Sequence, residues 1–410
     1  MPAYRNLRLA GRTVALLFVT QWLVFQLMLR DWDRLEVAAR FFLGNDFTYL
    51  YNAAGLFLSG TNPYVETSFI PLPTALYLPI LLHHLSFWNA LIVFRTISFL
   101  LVVVAIFWLC RQLRLDAVDS ALMLVISLTY GPFYSILAGG NLDALMVALL
   151  IFACARNVPL RGALVGLSIG TKFYSLLLIP VLILRRRWRE VLWAIAVLIA
   201  LLLPFIRYMP DALSSISHRT SVLRLNANES PAVLFILLFG EKRVWLWRSC
   251  YAVLWGGTFL ARLMADAKDA TDLENERFRA LDYLPWMAGA PLLVFTYTGI
   301  ILLPVIARLL QKNQHRKLFW AEWATILGFL LTGLYPIIAY RAFSMLPPLS
   351  SAPHQRLHTL VTAIAPLGIS AMLIGSSIAA WKGSGTRDRR LVVDNVAVTR
   401  PCSRDTPSRC

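Results

Sequence analysis

Apolar residues run in long unbroken blocks along this chain, separated by short polar and basic stretches. Blocks at 13–29, 86–109, 118–137, 142–155, 190–205, 244–264, 321–340 and 359–381 read as membrane spans, since a helix needs about 20 apolar residues to cross about 30 Å of hydrocarbon. A barrel strand would instead alternate polar and apolar residues over ~10 positions. The pattern predicts an all-α polytopic membrane protein.

Two stretches do not fit single spans. Residues 162–184 are long enough for one crossing, but Arg156 and Arg161 precede them and "RRRWR" (185–189) follows. Basic loops stay in the cytoplasm, so an even number of crossings is required. The spacing predicts a hairpin of two short arms, each about half a bilayer deep, with Lys172 at its turn. Residues 281–310 read the same way, as two short arms meeting near "FTYTG" (295–299). Counted so, the chain makes about twelve crossings with both termini in the cytoplasm. "RQLR" (111–114), "RRRWR" and "KNQHRK" (312–317) then fall inside, whereas "GEKR" (240–243) falls outside, against the rule.

Composition agrees. Hydrophobic residues make up 58% and charged residues 15% of the 410, too little polar surface for a soluble globule. The net charge of +17 lies in clusters between apolar blocks. That distribution suits topology and anionic headgroups rather than nucleic acid. The five cysteines show neither CxxC nor metal-ligand spacing, so neither a disulfide framework nor a zinc site is expected. Arg5, Arg8 and Arg12 before the first block resemble a signal peptide, but no small-residue cleavage site follows. The block therefore reads as an uncleaved first span. Residues 1–382 read as one membrane domain, and 383–410 as a polar, basic, disordered cytoplasmic tail.

Three outer loops are long. Residues 30–85 are too apolar for free coil and predict short helices in the headgroup plane, with Trp32, Phe41, Phe42, Tyr49 and Tyr51 as anchors. The others are 206–243, with "LNANESPAV", and 341–358. Ionisable groups against the bilayer are candidates for function. Asp46, in "NDFTYLYNAAGLFL", is either a helix N-cap or a general base poised among aromatics, and the two roles are compatible. In "GTNPYVETSFIPLPTALYLP" (60–79), the prolines argue for a defined path. Asn141 of "AGGNLDAL" sits at a tight turn, where a plain N-cap also explains it. Lys172 reads either as a snorkelling lysine or as a buried ammonium. The second needs an anion, and no carboxylate is its sequence neighbour, which points to a lipid phosphate. No Walker loop is present, which excludes an ATP-driven machine of that kind. A soluble sugar-nucleotide domain is likewise missing.

Taken in order, "NDFTYLYNAAGLFLSGTNPYV", "YLPILLHHLSFWNA", "GGNLDALMVALLIFACARNVPLRGALVGLSIGTKFYSLLLIPVLILRRRWRE" and "NANES" resemble glycosyltransferase family 87, which includes polyprenol-phosphate-mannose-dependent mannosyltransferases. The resemblance covers roughly residues 40–235 and implies a GT-C fold of about 10–12 transmembrane helices. It further implies an inverting transfer of a sugar, mannose first, from a polyprenyl-phosphate donor to a lipid or glycan acceptor. The active site would lie at the outer face of the cytoplasmic membrane. Asp46 matches the family's catalytic acid residue, Asn141 the asparagine of its "GQ.N" turn, Lys172 its membrane-embedded lysine and Asn228 its "N.S" loop. In this scheme Asp46 deprotonates the acceptor. Lys172, with Asn141, Tyr64, Asn228 and Tyr297, binds the donor phosphate and substrate. Neither metal nor cofactor is required, and the partners are donor, acceptor and membrane lipids, not nucleic acid.

The chain departs from the family pattern at three places. Gly139-Gly140 replaces the usual "GQ", Ser175 stands where proline is common, and "PLLVFTYTGIILLP" (291–304) has Tyr297 and Thr298 where related mannosyltransferases carry a pair of histidines. The sugar and acceptor are therefore not fixed by the resemblance. Two other classes stay open. One is a transporter or flippase, which broken helices would suit; the other is a catalytically silent partner in envelope assembly.

Overall fold

The computed structural model describes residues 45–66, 71–221, 230–268, 277–289, 296–345 and 363–381. Among these the chain is helical and contains no strand. Among the described residues three helices are long and apolar enough to cross a membrane: Phe87–Gln112, Trp188–Ser215 and Ala363–Trp381. They mark a membrane protein. The expected first span at 13–29 and the tail at 383–410 lie outside the described residues.

The described part of the loop expected at 30–85 forms short helices, as its apolar character predicts: α1 (Asn45–Leu58), α2 (Pro63–Glu66), a 3-10 turn (Pro73–Leu76) and α3 (Tyr77–Leu82), while the expected anchors Trp32, Phe41 and Phe42 lie outside the described residues. Tyr49 is exposed, and the Tyr51 hydroxyl donates to the carbonyl of Leu85 at 2.6 Å. The block at 86–109 becomes α4 (Phe87–Gln112). The block at 118–137 is not one helix. It breaks at Tyr130, whose backbone is extended, into α5 (Ala117–Thr129) and α6 (Gly131–Gly139). The cause is Pro132, which lacks an N–H and clashes with the preceding turn. The block at 142–155 forms only α7 (Asp143–Phe152), about 15 Å long and buried along most of its length.

The double-basic segment folds as the charge pattern requires. α8 (Val158–Thr171) is capped by the Asn157 side chain, which accepts from the N–H of Leu160. It ends at Lys172, whose backbone is extended (φ −146°). A 3-10 turn (Phe173–Leu177) and α9 (Leu178–Leu184) bring the chain back. The return is visible at Glu190, which is 3% exposed and takes Arg161 from one arm and Arg187 from just beyond the other, each at 2.6 Å. A carboxylate shared by two guanidiniums clasps the basic ends of the hairpin. Lys172 stands about 17 Å of helix away from Arg161.

α10 (Trp188–Leu202) packs along α8, then continues through a 3-10 turn (Leu203–Tyr208) into α11 (Met209–Ser221). The α8–α10 crossing depends on small residues. A methyl group on Gly166 would lie 2.5 Å from the carbonyl oxygen of Ala194, and one on Gly162 2.5 Å from that of Glu190. Backbone contact of this kind drives helix association where lipid is as apolar as the side chains. Gly166→Leu is expected to separate the helices and abolish a monodisperse peak in fluorescence-detected size-exclusion chromatography. Gly256→Ala, which meets nothing within 4 Å, should leave the peak unchanged.

α12 (Ala232–Phe239) and α13 (Val244–Lys268) flank the exposed 240–243 turn. The 281–310 stretch forms a 3-10 turn (Arg279–Tyr283), α14 (Leu284–Gly289), a second 3-10 turn (Thr296–Leu302) and α15 (Leu303–His315). The two arms were expected to meet near 295–299; residues 290–295 lie outside the described residues, and 296–299 open the second 3-10 turn. α16 (Trp320–Met345) and α17 (Ala363–Trp381) cross at Gly328 and Gly368, again backbone to backbone.

At the end that holds Arg185, acids and bases form a buried network. Arg262 pairs with Asp266 at 3.2 Å and with Asp282 at 3.0 Å, and Arg316 pairs with Glu322 at 2.6 Å. Arg185 ties the hairpin to this network by donating to the Asp266 carbonyl at 2.6 Å. Lys172 stands at the other end of α8.

Candidate active site

The helices of this first loop are built onto the ends of longer helices. Phe47, Leu50, Ala53, Tyr64, Ala75 and Leu76 share one buried cluster with Leu91 and Phe94 of α4, Leu142 beside α7, and Phe205 and Tyr208 after α10. Two polar ties fix its register. The Thr74 hydroxyl donates to the carbonyl of Gly170, two residues before Lys172, and the Tyr77 hydroxyl donates to that of Leu201 at 2.9 Å. The proline-rich path therefore sets α1 over the end of α8.

This brings Asp46, Asn141 and Lys172 into one connected constellation. Asp46 lies in the first turn of α1, where a carboxylate complements the helix dipole. The Asn141 side chain faces two ways: its Nδ2 donates to Asp46 Oδ2 at 2.8 Å, and its Oδ1 accepts from the N–H of Asp143 at 3.0 Å. The N-cap position itself is Leu142, not Asn141 as expected, but bonding the first N–H of α7 and orienting the acid are one job for Asn141. On the far side, Lys172 Nζ lies 3.6 Å from Asp143 Oδ2. The Tyr174 hydroxyl donates to Asp143 Oδ1.

Asp143 supplies from within the protein an anion for Lys172, for which the sequence offered no neighbouring carboxylate and suggested a lipid phosphate. The acid comes from α7, two residues after Asn141 and 29 before Lys172, so sequence adjacency could not reveal it. Asp143 is 0% exposed, and a buried ammonium requires such a partner. The signal was present in "GNLDAL": an acid opening an otherwise apolar block is costly unless paired.

Gly140 explains the departure from the "GQ" turn. It caps α6 in the left-handed region (φ +70°), and a methyl group there would lie 2.6 Å from Phe47 Cβ. Phe47 occupies the space that a side chain at 140 would need. Gly140→Ala should cost about 1–3 kcal/mol from backbone strain alone, seen as a lower thermal unfolding midpoint. Gly140→Gln should not restore a missing amide. Gly139 is close too: its methyl would lie 3.3 Å from Asp46 Oδ2.

The other expected residues stand differently. Tyr64 is buried in the loop cluster, and its hydroxyl donates to the carbonyl of Pro71 at 2.6 Å. Burial pushes that phenol well above its ordinary range, so it stays a donor within the loop. Asn228 lies outside the described residues, and Tyr297 lies in the second 3-10 turn with its side chain outside them. Ser175, at the position where proline is common, is fully buried, and its hydroxyl makes no hydrogen bond. Among the described residues no group of three or more His, Cys, Asp or Glu forms a candidate metal site.

The arrangement offers an oriented carboxylate, an ammonium at the edge of the protein (18% exposed) and a buried acid between them. Compared with known proteins, residues 71–331 match the family model described as Glycosyltransferase family 87. No curated protein matches the chain.

Proposed function

We infer the reaction from one premise: the chain belongs to glycosyltransferase family 87, and it is a glycosyltransferase. The proposed reaction moves a sugar, mannose first, from a polyprenyl-phosphate donor to a lipid or glycan acceptor. It takes place at the outer face of the cytoplasmic membrane, within a GT-C-type bundle. Asp46 takes the proton from the acceptor hydroxyl as that oxygen attacks the anomeric carbon. The bond from the anomeric carbon to the phosphate oxygen breaks, and polyprenyl phosphate leaves. Lys172 faces the charge that grows on the departing phosphate. Asn141 holds the carboxylate of Asp46 in place.

The observation that carries this reading is the chain of contacts from Asp46 through Asn141 and Asp143 to Lys172. Base and cation, far apart in sequence, share one site at the end of α8 opposite the arginine-rich network. By the basic-loop rule that network is cytoplasmic, which leaves the site outside. The second carboxylate does not suggest a double displacement. Retaining glycosidases place two carboxyl groups on either side of the reacting bond, whereas Asp143 is fully buried and held by Lys172 and Tyr174. A single base implies inversion. Asn228 and Tyr297 complete the proposed substrate site.

The test is donor choice. Purified protein in lipid nanodiscs should transfer or slowly hydrolyse radiolabelled polyprenyl-phosphate mannose and leave nucleotide-linked mannose untouched. Turnover of the nucleotide sugar alone would overturn the donor assignment.

A further inference from the structure

We propose that Asp143 is a positioning residue serving both halves of the site: its carboxylate sets Lys172 for the donor phosphate, and its backbone N–H sets the amide of Asn141 against Asp46. The proposal rests on the reading of Lys172 and Asp46 given above.

Three observations carry it. Asp143 opens α7 directly after the Gly139-Gly140 turn, so its N–H points back at the turn and meets Asn141 Oδ1 at 3.0 Å. That bond fixes which way the amide faces and sends Nδ2 to Asp46. Next, the carboxylate is 0% exposed and unequally held. Oδ1 accepts from the Tyr174 hydroxyl, while Oδ2 makes no hydrogen bond among the described residues and faces the Lys172 ammonium at 3.6 Å. The ion pair is thus longer than a charge-assisted hydrogen bond. Finally, Lys172 leaves α8 with an extended backbone and is the more exposed partner. An ammonium that sits 3.6 Å from its buried counter-ion and is the more exposed of the pair can meet a phosphate without abandoning that counter-ion.

Asp143 thereby places Lys172 without touching substrate. The two functions also separate by substitution, because Asn at 143 keeps the N–H and loses only the charge.

The experiment is a double-mutant cycle on Asp143→Asn and Lys172→Met, read in two ways. One reading is binding of polyprenyl phosphate alone, by intrinsic fluorescence in nanodiscs; the other is the thermal midpoint without ligand. Asp143→Asn should weaken polyprenyl-phosphate binding about 10- to 100-fold in the wild-type background. In the Lys172→Met background it should change binding by no more than about 2-fold. A purely structural Asp143 would lower the midpoint and weaken binding equally in both backgrounds, and that result would overturn the proposal. Restoration of binding by Asp143→Glu would support it. If wild type binds no polyprenyl phosphate while the midpoints still couple 143 to 172, the donor reading fails and the pairing stands. If wild type binds but the two positions are independent, the donor reading stands and Asp143 has no such role.

Discussion

Asp46→Asn is expected to lower kcat/KM for sugar transfer by about 10²- to 10⁴-fold, the usual contribution of a positioned general base, while the protein stays folded. The substitution separates the two readings of this residue. Asp46 lies inside the first turn of α1 and not at the expected N-cap position; there its charge adds only about 0.3–1 kcal/mol through the helix dipole, so a residue with that role alone would tolerate the change. The site also tolerates it geometrically. Asn141 Nδ2 donates to Asp46 Oδ2, and the carbonyl oxygen of an Asn at 46 can accept the same bond. What is lost is the ability to take a proton. Transfer assays beside a thermal-unfolding control check this, and full activity in the variant would leave Asp46 only its place in the first turn of α1.

The second large effect is expected at Lys172. Lys172→Met should abolish use of the donor and also destabilise the protein by about 3–5 kcal/mol, because removing one partner strands the other charge in the interior. Asp143, 0% exposed, would be that stranded charge. Adding Asp143→Asn should recover much of the stability, since a neutral amide keeps the bond from Tyr174 and loses the desolvated charge. Activity should not return. Midpoints and transfer rates of the two variants make the comparison. A Lys172→Met protein as stable as wild type would show that the pair contributes little.

Periodicity and charge made much of the scaffold legible. Two basic flanks around a 23-residue, mostly apolar stretch required a hairpin, and Glu190 gathers Arg161 and Arg187 where its ends meet. The apolar first loop announced its short helices. Hydropathy misjudged lengths, because it is blind to single residues that stop a helix. Pro132 splits the 118–137 block, and the run at 142–155 yields only ten helical residues. Three members of the candidate site drew notice in the sequence, Asp46 and Lys172 because an acid and a lysine beside the bilayer each need a reason, and Asn141 through the family resemblance. The residue that joins them did not. The pairing of Asp143 with Lys172 is set by how α7 packs on α8, and nothing local to either residue records it. The steric closure of Phe47 over Gly140 is equally a tertiary fact.

The most direct test of the central claim, a one-base displacement from a lipid phosphate, is the stereochemistry of the product. Carbon NMR of the product made by wild-type protein in nanodiscs from polyprenyl-phosphate mannose labelled at the anomeric carbon reads it in one experiment. The account predicts a single anomeric signal of configuration opposite to the donor's, with one polyprenyl monophosphate released per sugar transferred. Retention of the donor's configuration would contradict it, because a second nucleophile would then have to reach the anomeric carbon from a site in which Asp143 is buried and bound.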